Sequence, residues 1–141
     1  SYGPPMAVAP LNAVRSVIDY AVSEIPVRKI LMGMPNYGYD WTLPFIQGVS
    51  RAENIGNRTA TLRAARYGSE IDFNETAMSP TYSYRTGGAN HEVWFEDARS
   101  VNAKMDLRDE FGLRGVGWWN LMRPFNSAWA ILSSRYSIEK G

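Results

Sequence analysis

The sequence contains no cysteine and a single histidine, His91, among its 141 residues. The lack of cysteine excludes disulfides, thiol catalysis and cysteine-ligated metal sites. One histidine alone argues against a histidine-rich metal site and against a catalytic triad built on histidine. A chain without cysteine fits either a reducing compartment or an exported bacterial protein, and these two alternatives stay open.

Long apolar runs and clusters of one charge are also missing. No stretch approaches the roughly 18 apolar residues that a membrane helix needs, and residues 1–10 lack the layout of a signal peptide. The first residue is not methionine, so a signal could have been removed upstream. The formal net charge is +1 with no lysine or arginine cluster. We therefore expect neither a membrane nor nucleic acid as the main partner.

Aromatic residues, in contrast, are abundant, with 5 Trp, 8 Tyr and 5 Phe making up 13% of the chain. Their flat apolar faces and polar edges suit contact with sugar rings. The same side chains also fill protein cores, which is their commoner use. The length is that of one ordinary domain able to bury such a core.

The segment Lys29–Trp41 organises the chain. Its first half, up to Pro35, is a continuous apolar run that predicts a strand buried on both faces. Pro35 has no backbone N–H, so strand pairing should stop about there. A dense polar and aromatic group follows directly, consisting of Asn36, Tyr37, Tyr39, Asp40 and Trp41. In parallel barrels the carboxyl ends of strands carry the chemistry, which predicts a site here; a core strand followed by a surface loop is the equally open alternative.

Helical spacing and turn residues predict the remaining elements. The apolar stripe from Leu11 to Ile25 predicts a helix bounded by Pro10 and Pro26. We predict three further helices: Asn57–Tyr67, ending at Gly68 with Leu62, Ala64 and Ala65 inward; one capped by Glu96-Asp97 and running to Phe111; and one capped by Asn126 or Ser127.

The strands are predicted to be short. A second buried strand is expected at Gly115–Trp119, and a loop at Thr42–Asn54. Between them we expect strands near Glu70–Asn74, Thr81–Arg85 and Glu92–Phe95, the last two forming a hairpin. His91 is predicted to be a half-buried residue of this hairpin.

Three motifs occur in a specific order: MGMPNYGYDWTLPF, then HEVWFEDARSV, then GLRGVGWWNL. Together they resemble the last part of a glycoside hydrolase family 18 catalytic domain, and are most similar to the bacterial cortex-lytic N-acetylglucosaminidases of spores. The resemblance covers nearly the whole chain. It implies an α/β fold, the C-terminal portion of a (β/α)8 TIM barrel, with Lys29–Pro35 as strand seven and Gly115–Trp119 as strand eight. Residues 1–45 and 96–141 would form the partial barrel, and residues 46–95 a small α+β insertion subdomain after strand seven.

The resemblance also implies a substrate-binding set. Trp119 matches the aromatic floor beneath the reacting sugar, while Trp118 should point towards the outer helices because side chains alternate along a strand. Tyr37 and Tyr39 match cleft-lining positions, although Tyr39 stands where many chitinases have arginine. Asn36 and Asp40 complete the predicted set; Asp40 is either a substrate contact or a local hydrogen-bond partner. Glu96 matches an acidic position for which we favour a structural cap.

The implied activity is retaining, substrate-assisted hydrolysis of N-acetylglucosamine polymers, either chitin or peptidoglycan of the spore cortex, without a metal or organic cofactor. The family's strand-four glutamate and its strand-six Met-x-Tyr-Asp/Glu group do not occur in this sequence. We therefore expect a C-terminal fragment with no catalytic residue of its own, inactive alone. The alternative is a lectin-like binding member that has lost its acid.

Location and assembly follow from the same resemblance. We expect an extracellular protein of the cell wall or spore envelope of a bacterium, with a signal or LysM segment upstream. Only two barrel strands are legible, and bare strand edges invite pairing with another chain. This leads to the hypothesis of a homo-oligomer.

Overall fold

Two sheets with different strand directions organise the computed structural model, which describes residues 1–137. The helices of this part of the chain are α1 (Leu11–Glu24), α2 (Asn57–Tyr67), α3 (Ala98–Glu110) and α4 (Asn126–Arg135). The strands are β1 (Leu31–Pro35), β2 (Tyr37–Leu43), β3 (Glu53–Gly56), β4 (Asp72–Asn74), β5 (Ser79–Thr86), β6 (Ala89–Trp94) and β7 (Gly115–Trp119).

The first sheet is a parallel pair of β1 and β7, in register from Leu31 opposite Gly115 to Pro35 opposite Trp119. Side chains on one face of this pair, including Met32 and Met34, pack into a core beneath α1, α3 and α4. The prediction of two neighbouring strands at these positions is confirmed. The parallel direction follows from the helix-containing crossover between them.

The second sheet is antiparallel, with strand order β3-β2-β6-β5-β4. Helix α2 covers it, and the small residues Ala60 and Ala64 pack against Tyr82, Val93 and Phe95 in a second core. The hairpin of β5 and β6 is confirmed, because its strands pair up to Thr86 opposite Ala89. Gly87 and Gly88 connect them with φ angles of 56° and 80°, which two-residue hairpin loops require and glycine tolerates.

The first predicted strand differs from the observed one in two respects. It begins at Leu31 and not at Lys29, because Val27–Lys29 forms a 3-10 turn directly after Pro26. Within residues 1–137 the strand is buried mainly on the face of Met32 and Met34, so the predicted burial on both faces is not observed among these residues. Leu31 and Gly33 lie on the face away from the helices, and within residues 1–137 no element covers them.

The loop predicted at Thr42–Asn54 is wrong at both ends, since β2 extends to Leu43 and β3 begins at Glu53. Strand β2 was missed because it follows Pro35 after one residue. Its period-two signal is the alternation of Tyr37, Tyr39 and Trp41. Gly38 separates the first two, and a Cβ atom there would lie 2.4 Å from the carbonyl oxygen of Trp94, so only glycine permits this close approach.

Helix α2 has its predicted bounds, and Gly68 ends it in the left-handed conformation with φ 62°. Its inward face, however, is formed by Asn57, Ala60 and Ala64, while Leu62 and Ala65 are exposed. The sheet selects small residues here because a large ring must come close: the Tyr82 hydroxyl donates to the carbonyl oxygen of Ala60 at 2.7 Å.

Helix α3 is capped by Asp97 alone, whose carboxylate accepts from the backbone N–H groups of Arg99 and Ser100. Glu96 is not a cap. It is 1% exposed, and both its oxygens accept from the Nζ of equally buried Lys104 at 2.9–3.0 Å. Burial raises the pKa of Glu96, opposed by the charge of Lys104. The predicted cap of α4 is also wrong, since Phe125 stands at that position and makes no side-chain bond.

No helix within residues 1–137 combines the length and the apolar character needed to cross a membrane.

Replacing Lys104 with methionine tests the buried pair of α3. The variant Lys104→Met leaves the Glu96 carboxylate buried without its cation, and we expect the free energy of unfolding to fall by about 3–5 kcal/mol at neutral pH. The double variant Glu96→Leu/Lys104→Met removes both charges and should recover most of the loss. Urea unfolding measures both. A single variant as stable as the parent would contradict the account.

Candidate functional site

The carboxyl ends of β1 and β7 lie side by side and define the candidate site. Pro35 is opposite Trp119, and the Asn36 N–H donates to the carbonyl oxygen of Trp119 at 3.2 Å. The first residues beyond the two strands, Asn36 and Asn120, therefore share one edge. This is the edge at which parallel barrels place their functional residues.

Asn36 links the two strand ends. Its side chain is buried; Oδ1 accepts from the Asn120 N–H at 2.9 Å, and Nδ2 donates to the carbonyl oxygens of Asn120 and Arg123. Its amide is thus engaged with the backbone on all sides. Asn36 therefore positions the loop that follows β7.

Trp119 is the most prominent aromatic at this edge. Its side chain is 71% exposed, on the same face of the parallel pair as Gly33 and Gly117. Trp118 points to the opposite face, where its ring lies 6.2 Å from that of Phe125 and 5.3 Å from that of Trp129. The predicted alternation of the two tryptophans is confirmed, and it leaves Trp119 as a free, flat apolar surface.

Tyr37, Tyr39 and Trp41 form a row of edge-to-face rings along β2, with centroids 5.5 Å and 5.4 Å apart. Trp41 is buried, and its indole N–H donates to the carbonyl oxygen of Gly3 at 3.0 Å. The two tyrosines are half-buried. Burial, then the proximity of Tyr39, raises the pKa of Tyr37, so its hydroxyl stays neutral and can donate a hydrogen bond.

Asp40 does not join the other predicted site residues. Its side chain is 2% exposed and lies in a polar cluster inside the antiparallel sheet. It accepts from Arg63, from the Tyr84 hydroxyl at 2.6 Å, and contacts His91 Nδ1 at 2.9 Å. Of its two predicted roles, the geometry favours the hydrogen-bond partner over the substrate contact. Half-buried His91 also stacks on Tyr84, with ring centroids 4.6 Å apart.

This Asp40 cluster and the Glu96–Lys104 pair were not found from the sequence. The partners Arg63, Tyr84 and His91 are 23, 44 and 51 residues away from Asp40 in the sequence. No local sequence pattern therefore predicts the cluster. Arg63 also binds Glu53 at 2.9 Å; these bonds raise the pKa of Arg63, that to Glu53 contributing most. Within the described residues no group of three or more histidine, cysteine or acidic side chains is arranged to hold a metal ion.

An aspartate at position 36 tests the link between the strand ends. The variant Asn36→Asp keeps the acceptor for the Asn120 N–H but turns a carboxylate oxygen towards two carbonyl oxygens. We expect the free energy of unfolding to fall by about 2–3 kcal/mol. Asn12→Asp, on the exposed side of α1, is the matched control and should change it by less than about 0.5 kcal/mol. Equal stability of the two variants in urea would refute the role given to Asn36.

The sequence of this chain is similar to those of known proteins. The family model described as glycosyl hydrolases family 18 matches residues 3–123. The cortical fragment-lytic enzyme of Bacillus subtilis (strain 168) is 43% identical over 141 residues, which are 99% of this chain and 33% of that protein. Its counterpart from Bacillus cereus is 42% identical, over 98% of this chain and 32% of that protein. The chain spans about a third of the length of these relatives.

Solved structures agree with the sequence matches. The Bacillus megaterium QM B1551 spore cortex-lytic enzyme SleL superposes with a TM-score of 0.96 at 46% identity, covering 100% of this chain and 33% of SleL. A chitinase from Chromobacterium violaceum ATCC 12472 superposes with a TM-score of 0.86 at 32% identity, over 94% of this chain and 40% of the chitinase. The predicted resemblance and its mixed α/β barrel-type fold are thereby confirmed, and the chain belongs to glycosyl hydrolases family 18.

Proposed function

We propose that this chain forms the sugar-binding floor and one wall of a retaining glycoside hydrolase that cleaves N-acetylglucosamine-containing polysaccharide. The observation that carries the proposal is the 71% exposed Trp119 at the end of β7, held beside β1 by Asn36. An indole face presented at a strand end suits stacking on a sugar ring.

The chemistry of the intact enzyme would follow the substrate-assisted route of family 18. An acid protonates the glycosidic oxygen, and the carbonyl oxygen of the substrate's own 2-acetamido group attacks the anomeric carbon. We place that acid outside residues 1–137, so that this segment contributes binding: stacking by Trp119 and hydrogen bonds from Tyr37 and Tyr39. No metal or organic cofactor is required for this route.

The substrate we favour is peptidoglycan of the spore cortex, with chitin as the alternative. Support comes from the relatives that are named cortical fragment-lytic or spore cortex-lytic enzymes and are 43% and 46% identical to this chain. A chitinase at 32% identity supports the alternative. The corresponding location is the spore envelope or cell wall of a bacterium, and a signal or LysM segment upstream is part of this proposal.

The arrangement also supports a division into two parts. We propose that β1, β7 and the helices that pack on them belong to the barrel, as strands seven and eight, while the antiparallel sheet with α2 is an insertion between them. The first domain boundary predicted from the sequence, between residues 45 and 46, would lie after β2 and would assign this strand to the barrel. The sheet order favours a boundary at Asn36, because β2 pairs only within the antiparallel sheet.

Two further candidates remain. A lectin-like member without a catalytic acid would use the same Trp119 surface for binding only. A homo-oligomer is supported by the parallel pair, in which β1 and β7 each have one strand neighbour within residues 1–137. Light scattering that shows a strict monomer would count against the oligomer.

Alanine at position 119 tests the proposed function. In the full-length protein, Trp119→Ala should lower kcat/KM on a chromogenic N-acetylglucosamine oligomer about tenfold or more, by the loss of one stacking surface. Tyr20→Ala, which removes a 72% exposed aromatic of α1, is the control and should leave kcat/KM unchanged. The 141-residue segment alone should show no turnover.

Three results would change the account. Full activity of Trp119→Ala would remove the observation that carries it. Sugar binding without turnover in the full-length protein would favour the lectin-like candidate. Turnover by the isolated segment would show that the acid lies within it.

A further inference from the structure

Two hollows flank the first turn of α2, where it meets the loop between β7 and α4. One has a volume of about 420 Å³ and the other about 460 Å³, and Arg58 and Pro124 border both. Asn57 and the first residues of α4 line the first hollow, and Arg123 lines the second. Neither hollow belongs to the set of side chains assigned above to sugar stacking.

Each hollow contains a buried donor that has no acceptor among the described residues. Asn57 is 4% exposed, and its Oδ1 accepts from the Glu96 N–H at 2.9 Å. This bond fixes the orientation of the amide, and Nδ2 makes no hydrogen bond. The Nη1 of Arg123 is likewise buried without an acceptor, although Nη2 reaches the carbonyl oxygen of Asn54 at 3.4 Å.

The N-termini of α2 and α4 contribute positive electrostatic potential at the two hollows. Gly56 at the start of α2 and Phe125 at the start of α4 make no side-chain cap, whereas α3 is capped by Asp97. The uncapped N-terminus of a helix carries free N–H groups and a partial positive charge, which favour an anion.

The acidic side chains around the hollows are already engaged. Glu96 pairs with Lys104, Asp97 with α3 and Arg99, and Glu53 with Arg63. Arg58 and Arg123, in contrast, form no salt bridge within residues 1–137. The two hollows therefore combine unpaired buried donors with positive charge, and an oxyanion would satisfy both.

We propose that Asn57, Arg58 and Arg123, named here the α2 anion site, bind a carboxylate of the glycan substrate. The inference rests on the proposed function and refines its substrate. Arg123 packs on Gly56, and its carbonyl oxygen accepts from Asn36 Nδ2 at 3.2 Å. The site is therefore tied to the strand end that presents Trp119. Chitin has no carboxylate, whereas in peptidoglycan the lactyl group of muramic acid is amide-linked to a peptide stem that carries free carboxylates.

Substrate selectivity tests the site. In the full-length protein, the variants Arg58→Gln and Asn57→Asp should lower kcat/KM on a muramic-acid tetrasaccharide whose lactyl groups carry L-alanine about tenfold more than on chitotetraose, since each loses one charge-assisted or donor contact to the alanine carboxylate. Asn57→Asp retains the acceptor for the Glu96 N–H but buries a charge. Its folding is therefore checked by urea unfolding, and Arg58→Gln, which leaves that hydrogen bond intact, provides the test independently. Arg28→Gln, on the 3-10 turn after α1, is the control and should alter neither rate.

A second measurement separates a substrate carboxylate from a free anion. Inorganic phosphate, added at constant ionic strength, should competitively inhibit cleavage of the muramic-acid tetrasaccharide and spare that of chitotetraose. Phosphate stabilisation of the fold that both variants abolish, with unchanged selectivity between the two tetrasaccharides, would overturn the proposal in favour of a free-anion site. Equal losses on both substrates would also overturn it. Hydrolysis of chitotetraose reports on the proposed function independently, so the two failures are distinguishable.

Discussion

The parallel pairing of β1 with β7 is the constraint on which the rest depends. Because side chains alternate along each strand, the register divides every residue of the pair between two faces. Met32, Met34 and Trp118 lie on the face that packs against the helices and contribute to the core. Gly33, Gly117 and Trp119 lie on the other face, where the two glycines have no side chains that could crowd the indole ring. One pairing thus decides both stability and the surface available to a ligand.

The junction between the two sheets is as short as a chain allows. A single residue, Asn36, separates β1 from β2, and its side chain binds the loop after β7. A buried amide with all of its groups satisfied restricts a loop more than apolar packing does, because each bond has a direction. The loop that follows Trp119 and contains Arg123 is thereby held to both sheets, so the proposed sugar-binding surface and the proposed α2 anion site would keep a fixed position relative to each other.

Local signals were sufficient for much of this arrangement. The apolar runs predict β1 and β7, the two adjacent glycines predict the hairpin, and the alternation of side chains along a strand separates Trp118 from Trp119. The errors fall where distant residues decide. Leu62 is an apolar residue on a good helical stripe, yet the ring of Tyr82 requires small residues, so the helix turns Ala60 and Ala64 inward. Asp40 was predicted to be a substrate contact or a local hydrogen-bond partner and Glu96 a helix cap. Their actual partners, Arg63 and Lys104, could not be predicted because only the fold brings them together.

Disulfide trapping tests the parallel register most directly, because the chain has no cysteine of its own. Gly33 and Gly117 are register partners, and an added Cβ meets no atom within 4 Å at either position. Paired strand residues lie within the roughly 4.4–6.8 Å Cα separation that a disulfide spans. The variant Gly33→Cys/Gly117→Cys should therefore crosslink rapidly under mild oxidation, whereas Gly33→Cys/Ser83→Cys should not. A crosslink in the second variant, or none in the first, would contradict the pairing and everything built on it.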